Sequence, residues 1–336
     1  MGFLRLLESI RFPAMDSIMS VITYAGDEIA FMAIALLVFW CVSKRCGYYI
    51  FLVDFVGTVI VQIAKLLFRV PRPWVLDPSF TIVEAAREGA SDYSFPSGHT
   101  MNAVGMLGAL AVSGDRRWLR WVCGCLIVLV PFSRMYLGVH TPLDVGAAFL
   151  IAALLVVIFR PMFASEEKFG KNAVYALNLM AVFAVILIVF VLFWRFPADI
   201  NADYLAAGVK NAFTIGGAVL GLIAVYYYDS RVLKFDTKAP LLGQILKYVL
   251  GMAILVGLKA GLKALLISMG LTSPIQNSIR YFIMVVFAGC IWPMTFPAFA
   301  KIGKRKNTSA SDGTPAEAPA ADAAKKAADK TQEDAQ

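Results

Sequence analysis

Apolar stretches close to the length of a bilayer's hydrocarbon core recur from Glu28 almost to the far end of the chain, and no other feature narrows the fold as much. Inside lipid a segment has no water for its peptide groups, so it must bond to itself as a helix or pair into a closed barrel. The alternating pattern of barrel strands is absent, which leaves an all-α, polytopic transmembrane helical bundle. The expected spans lie at about 28–43, 48–68, 98–113, 118–136, 142–160, 173–194, 207–228, 241–268 and 279–300. Hydrophobic residues make up 59% of the 336 positions and charged residues 16%, a balance that belongs to a membrane protein.

The beginning is different. Between Met1 and Gly26, Leu4, Leu7, Ile10 and Phe12 alternate with Arg5, Glu8 and Arg11 ahead of Pro13, the pattern of an interfacial amphipathic segment, with a tenth crossing from Ala14 as the alternative. Neither a signal peptide nor a myristoylation signal is expected, since a short apolar h-region is missing and position 6 is Leu. Four regions follow: the interfacial segment 1–26, a transmembrane core 27–164, additional transmembrane helices 165–302 and a disordered tail 303–336 rich in Ala, Lys, Asp and Glu. The five cysteines fall in or beside spans and form no extracellular disulfide framework, and Cys123-x-Cys125 lacks the spacing of a metal site.

The net charge of +8 does not form a nucleic-acid patch. Its residues cluster in alternate connections: Lys44-Arg45, Arg116-Arg117-Arg120, Arg160 with Lys168 and Lys171, Arg231 with Lys234 and Lys238, and Lys301 onward. The positive-inside rule makes those loops and the tail cytoplasmic. Residues 69–97 and 134–141 then emerge on the opposite face, because two crossings separate them.

The chemistry sits in those opposite loops. The chain has only two histidines, and each sits in a short polar run: Ser94-Phe95-Pro96-Ser97-Gly98-His99 and Ser133-Arg134-x5-His140-x3-Asp144, preceded by Lys65-x6-Arg72-Pro73. Lys65 and Arg72 read either as cations snorkelling to the headgroups or as a phosphate clamp, since a guanidinium presents a planar donor fork to anionic oxygens. Ser97-Gly98-His99 stands at a helix start, where free N–H groups, a positive dipole end and a hydroxyl can cradle an anion; a plain Ser N-cap is the simpler reading. Thr141-Pro142-Leu143-Asp144 is itself a good helix start, so Asp144 reads as a cap. A carboxylate one turn from His140 is also placed to receive its Nδ1–H and leave Nε2 free.

Taken together the three runs resemble the KX6RP, PSGH and SRX5HX3D signature of the type 2 phosphatidic acid phosphatase (PAP2) family, over about residues 1–160. Lys65, Arg72, Pro73, Pro96, Ser97, Gly98, His99, Ser133, Arg134, His140 and Asp144 fill every position. The resemblance implies a PAP2/haloperoxidase-like core and a metal-independent lipid phosphatase with no cofactor. His140 is then the nucleophile, Asp144 its orienting carboxylate, and His99 the general acid and base. Lys65, Arg72, Ser97, Gly98 and Arg134 are the phosphate-binding groups. Phosphohistidine is the implied intermediate, and a lipid monophosphate or diphosphate such as undecaprenyl diphosphate the substrate, handled at the extracytoplasmic face of a bacterial cytoplasmic membrane.

A phosphotransferase using a lipid phosphate donor and a non-enzymatic lipid transporter are the competing readings, although no internal repeat favours transport. Partners beyond the substrate and membrane lipids, and any oligomeric state, are not indicated. The spans after residue 173 have no counterpart in the minimal core. Within them Lys259 and Lys263 share a helix face at i,i+4, and read either as snorkelling cations or as a second headgroup contact. Asp54 is intramembrane by sequence, with no partner that the sequence identifies.

Overall fold

The computed structural model describes residues 1–302; the tail expected at 303–336 lies outside the described residues. Among the described residues there is no strand. Helices run from α1 (Gly2–Ser9) and α2 (Pro13–Thr23) through α3 (Glu28–Cys41), α4 (Lys44–Phe68) and the single turn α5 (Pro73–Leu76). They continue with α6 (Gly98–Ser113), α7 (Arg117–Tyr136), α8 (Pro142–Phe159), α9 (Glu166–Phe193), α10 (Ala202–Tyr228), α11 (Leu241–Ser268), α12 (Ser273–Val286) and α13 (Phe296–Phe299). A π turn at Phe287–Ile291 and a 3-10 turn at Trp292–Thr295 join the last two.

Against the nine expected spans, seven segments among the described residues are long and apolar enough to cross on their own. The difference lies in α3 and α6. Each is a helix of the bundle, but with 14 and 16 residues they reach only about 21 and 24 Å against a core of about 30 Å. The chain before α3 supplies no straight extension, because the segment ending at Gly26 meets α3 at 52°. All five cysteines are free.

Local sequence explains the helix ends. Ser43, Ser97, Thr141, Ser165 and Asn201 each cap the helix that follows with a side-chain oxygen. Pro13, Pro73 and Pro142 occupy first-turn positions, where a missing N–H costs nothing. At Arg69, φ of 50° places a non-glycine residue in the left-handed region, which ends α4 and turns the chain toward Arg72.

Packing follows membrane rules, in which close backbone approach replaces hydrophobic exclusion. Gly217 and Gly221 of α10 form a small-x3-small pair against α12, and a Cβ on Gly217 would run into the Ser278 carbonyl. α4 is surrounded by α3, α6, α8, α9 and α10, and its buried face carries Tyr49, Ile50, Leu52, Val53 and Val56. α1 buries Leu4 and Leu7 and presents Phe3, Leu6 and Ile10 outward. Arg5 of α1 pairs with Asp77, and Glu8 accepts from Thr81, so the N-terminal segment docks on the loop after α5.

Candidate active site

The three polar runs meet at one end of the bundle. α4 delivers Lys65 and the following turn Arg72; Ser97, Gly98 and His99 stand at the start of α6; Arg134 lies in the last turn of α7; His140 and Asp144 flank the start of α8. Lys65, Arg72, Ser97, Arg134, His140 and Asp144 are all buried. Gly138, at φ 83°, lets the chain turn between Arg134 and His140, a backbone conformation that favours glycine.

Behind His140 the polar groups are fully engaged. Asp144 Oδ2 accepts from the Thr141 amide at 2.7 Å and from Ser94 Oγ at 2.6 Å, and lies 3.5 Å from His140 Nδ1. The Asp144 amide bonds back to Thr141 Oγ1 and completes a capping box. One carboxylate therefore caps α8 and faces the His140 ring. With the Nδ1 proton directed at Asp144, the Nε2 lone pair faces Arg72 Nη1 at 2.9 Å.

In front of His140 lie the cations. Arg72 donates to the Val139 carbonyl and to both the carbonyl and the carboxylate of Asp92. Lys65 Nζ bonds the Tyr93 carbonyl at 2.7 Å and Asp92 Oδ2 at 2.8 Å. Arg134, 1% exposed, donates to Thr23 Oγ1 and the Gly89 carbonyl, while its Nε has no partner among the described residues. An unpaired buried guanidinium N–H is costly, and an anionic oxygen is the group that satisfies it best.

His99 enters from α6 with its Nε2 4.0 Å from Asp27 Oδ2. Ser97 Oγ accepts from the Thr100 amide and hydroxyl, so its N-cap reading is realised in full. Burial first, and then the charges of Arg72, Arg134 and Lys65, push the His140 imidazole well below its ordinary range and keep it neutral. Burial acts in the opposite sense on Asp92, but Lys65 and Arg72 outweigh it and hold the carboxyl at about 2.

The site opens into a cavity of about 420 Å³ whose lining includes Lys65, Arg72, Gly98, His99 and His140. Lys259 and Lys263, by contrast, do not line it. They lie on α11, half-buried and exposed respectively, and their ammonium groups have no hydrogen-bond or ion-pair partner among the described residues. Asp92, Ser94, Thr23 and Asp27 were not singled out from sequence. Ser94 and Asp92 sit within or beside the second run, which is the one local hint; Thr23 and Asp27 join through tertiary structure alone. Among the described residues no group of three or more His, Cys, Asp and Glu side chains is arranged to hold a metal ion.

Comparison with known proteins matches residues 45–168 to the PAP2 superfamily and residues 213–305 to the transmembrane extension of PAP2 superfamily phosphatases. The undecaprenyl-diphosphatase BcrC of Bacillus subtilis is 31% identical over 147 residues, covering 43% of this chain and 73% of that protein. Human sphingosine-1-phosphate phosphatase 2 is 27% identical over 210 residues, covering 61% of this chain but only 50% of that protein, so the chain spans about half the length of this relative. The crystal structure of Aquifex aeolicus LpxE is 25% identical and covers 47% of this chain and 92% of that one, with a TM-score of 0.41. With the signature residues gathered in one cluster and residues 45–168 and 213–305 both matched, the chain belongs to the PAP2 superfamily, and from within α10 onward it matches the transmembrane extension of that superfamily's phosphatases.

Proposed function

We propose that the protein is a membrane lipid phosphatase that hydrolyses a lipid monophosphate or diphosphate through a phosphohistidine. One observation carries this reading: Lys65, Arg72 and Arg134 converge in front of a neutral, buried His140 that is backed by Asp144. Relatives named as phosphatases of undecaprenyl diphosphate and of sphingosine 1-phosphate support the substrate class.

In this mechanism the Nε2 lone pair of His140 attacks phosphorus. The N–P bond forms as the bond from phosphorus to the leaving oxygen breaks, and His99 gives that oxygen a proton. Asp144 stabilises the positive charge that develops on the ring. Lys65, Arg72, Arg134, Ser97 and the Gly98 amide neutralise the equatorial oxygens, which is the main demand of phosphoryl transfer. His99 then takes a proton from water as it attacks phosphorus; the N–P bond breaks, and phosphate leaves with His140 restored. For the phosphate to bind, Arg72 and Lys65 exchange part of their contact with Asp92 for contact with substrate oxygens.

The placement of this chemistry on the extracytoplasmic side of a bacterial cytoplasmic membrane rests on charge. Lys44 pairs with Asp229, and Arg45 with Glu166, at the end of the bundle away from the site, where Arg116, Arg160 and Lys234 also lie. That end carries the excess positive charge expected of the cytoplasmic side.

The test is phosphate release from a panel of lipid monophosphates and diphosphates by the purified full chain in detergent with EDTA, with and without an acceptor alcohol. His140→Ala is expected to abolish both release and acid-labile labelling from a radioactive substrate. Release that persists in this variant, or no release from any lipid by the parent protein, would overturn the reading. Phosphate appearing only on the acceptor would make the protein a phosphotransferase.

A further inference from the structure

The cavity does not end at the phosphate site. It continues between α3, α4, α10 and α12, and the residues of α4 that line it recur at helical spacing: Lys65, Gln62, Thr58, Asp54 and Phe51. Lys65 to Phe51 is a depth of about 21 Å, more than the roughly 15 Å of half a hydrocarbon core. Down this bore the chemistry changes. Along α4 the lining passes from Gln62 and Thr58, nearest the site, through a middle layer at Asp54 to Phe51 at the bottom, and Glu28 and Tyr281 line the same cavity.

The middle layer is the anomaly. Asp54 is 8% exposed, lines the cavity, and its Oδ1 has no hydrogen-bond partner among the described residues. Glu28, beside it in the same chamber, is held by the Tyr281 hydroxyl at 3.1 Å. Glu28 is exposed, whereas Asp54 is buried with no cation paired to it among the described residues, so a ligand that reaches into the cavity can supply the donor that its Oδ1 lacks. The layer is also displaced from the reacting atoms. Gly57 packs against Met101 and Val53 against Gly105, so α4 and α6 run antiparallel with Asp54 about 8 Å deeper than His99.

We infer that Asp54, together with the Glu28–Tyr281 pair, forms an acidic subsite for a hydrogen-bond donor on the lipid, an ammonium or hydroxyl carried between its phosphate and its hydrocarbon chain. The inference rests on the phosphatase reading for the position of the phosphate and deepens it by naming the leaving group. The cradle at Lys65 and Arg72 takes the anionic end, the acidic layer takes the donors, and the apolar floor takes the chain. Tyr281 belongs to the extension, which gives those helices a part in substrate choice. A polyprenyl chain has no donor to offer, so it would leave the buried Asp54 carboxylate unpaired, which selects against it.

The test reads binding rather than turnover. Three non-hydrolysable phosphonates of equal chain length are titrated into the purified full chain in detergent: one without donors, one with a hydroxyl, and one with an amine and a hydroxyl near the phosphonate. The parent protein is expected to bind a donor-bearing probe about tenfold or more tightly than the donor-free one. Asp54→Asn is expected to erase that preference, weakening the donor-bearing probes and tightening the donor-free one, and Glu28→Gln to reduce it. A preference confined to the amine probe identifies an ammonium, and one shared by the hydroxyl probe identifies a hydroxyl. Equal affinity of all three probes for the parent overturns the inference without any variant, and so does a preference that survives in Asp54→Asn. A protein that discriminates among the probes yet releases no phosphate would overturn the phosphatase reading alone.

Discussion

Asp144→Asn separates the two tasks that a single carboxylate performs. In the structure Oδ2 serves the Thr141 amide, the Ser94 hydroxyl and the face of His140 that carries Nδ1. Asparagine keeps an oxygen for the Thr141 amide but removes the negative charge behind the ring. In the proposed mechanism that charge matters most when phosphorus is bound to Nε2 and the imidazole is cationic. A charge-assisted contact of this kind contributes about 1.5–3 kcal/mol, which predicts a loss of about 10- to 150-fold in the rate of phosphohistidine formation. The control is Thr141→Ala, which removes the hydroxyl that accepts from the Asp144 amide at 3.3 Å and leaves the carboxylate in place. It is expected to cost about 1 kcal/mol of stability and little rate. Single-turnover phosphate release and thermal unfolding, measured in one detergent, read the two effects separately. The reasoning fails if both variants lose rate in step with stability, or if Asp144→Asn retains more than about half the parent rate.

Burial and the cations around His140 lower its affinity for protons, so the proposed nucleophile stays neutral below the ordinary histidine value of about 6.5. The acidic limb of kcat/KM is expected below that pH and should move up toward it in Arg134→Gln; an unmoved limb would show that Arg134 does not act through its charge. Asp92 stays ionised throughout such a profile, because Lys65 and Arg72 hold it at about 2 against the upward effect of burial. In a background without the native cysteines, Ser91→Cys is expected to react with an impermeant thiol reagent in intact cells and Ser165→Cys only after permeabilisation, and the reverse pattern would move catalysis to the cytoplasmic side. Since Lys259 and Lys263 lie outside the cavity, replacing both with Gln is expected to leave the ratio of diphosphate to monophosphate kcat/KM unchanged. A fall confined to diphosphates would restore a headgroup role for them.

The gathering of the site was legible because polar residues in an apolar chain are expensive and few. Lys65, Arg72, His99, Arg134, His140 and Asp144 stand out against lipid-facing sequence, and all of them converge. Asp92 did not stand out. It is a loop carboxylate with no periodicity, and its meaning comes only from the two cations it bridges. Thr23 and Asp27 were illegible for a related reason: they reach Arg134 and His99 because the N-terminal segment folds over the site, and neither spacing nor composition encodes that docking. For Lys259 and Lys263 the i,i+4 spacing gave the shared face, whereas which face of α11 meets the cavity is decided by packing against other helices.

Helix starts are legible where a cap follows a polar run, as at Ser97 and Thr141, but α9 begins at Glu166, ahead of the span expected from about 173. Harder to see was that α3 and α6 are short for a reason. Their missing length falls at the end where Glu28 and Gly98 begin, and the two starts lie together, with Asp27 close to His99 and Gly26 packed on the His99 carbonyl. Measured from the opposite end of the bundle, helices of about 21 and 24 Å stop about 6–9 Å short of a 30 Å core. That deficit makes room for the polar loop between α5 and α6 to fold inward, so Ser94 and His140 are buried among helices and Asp92 half-buried beside them. A recessed phosphate cradle requires the lipid to enter the bundle, and the chamber beneath His99 is where its remaining length can go.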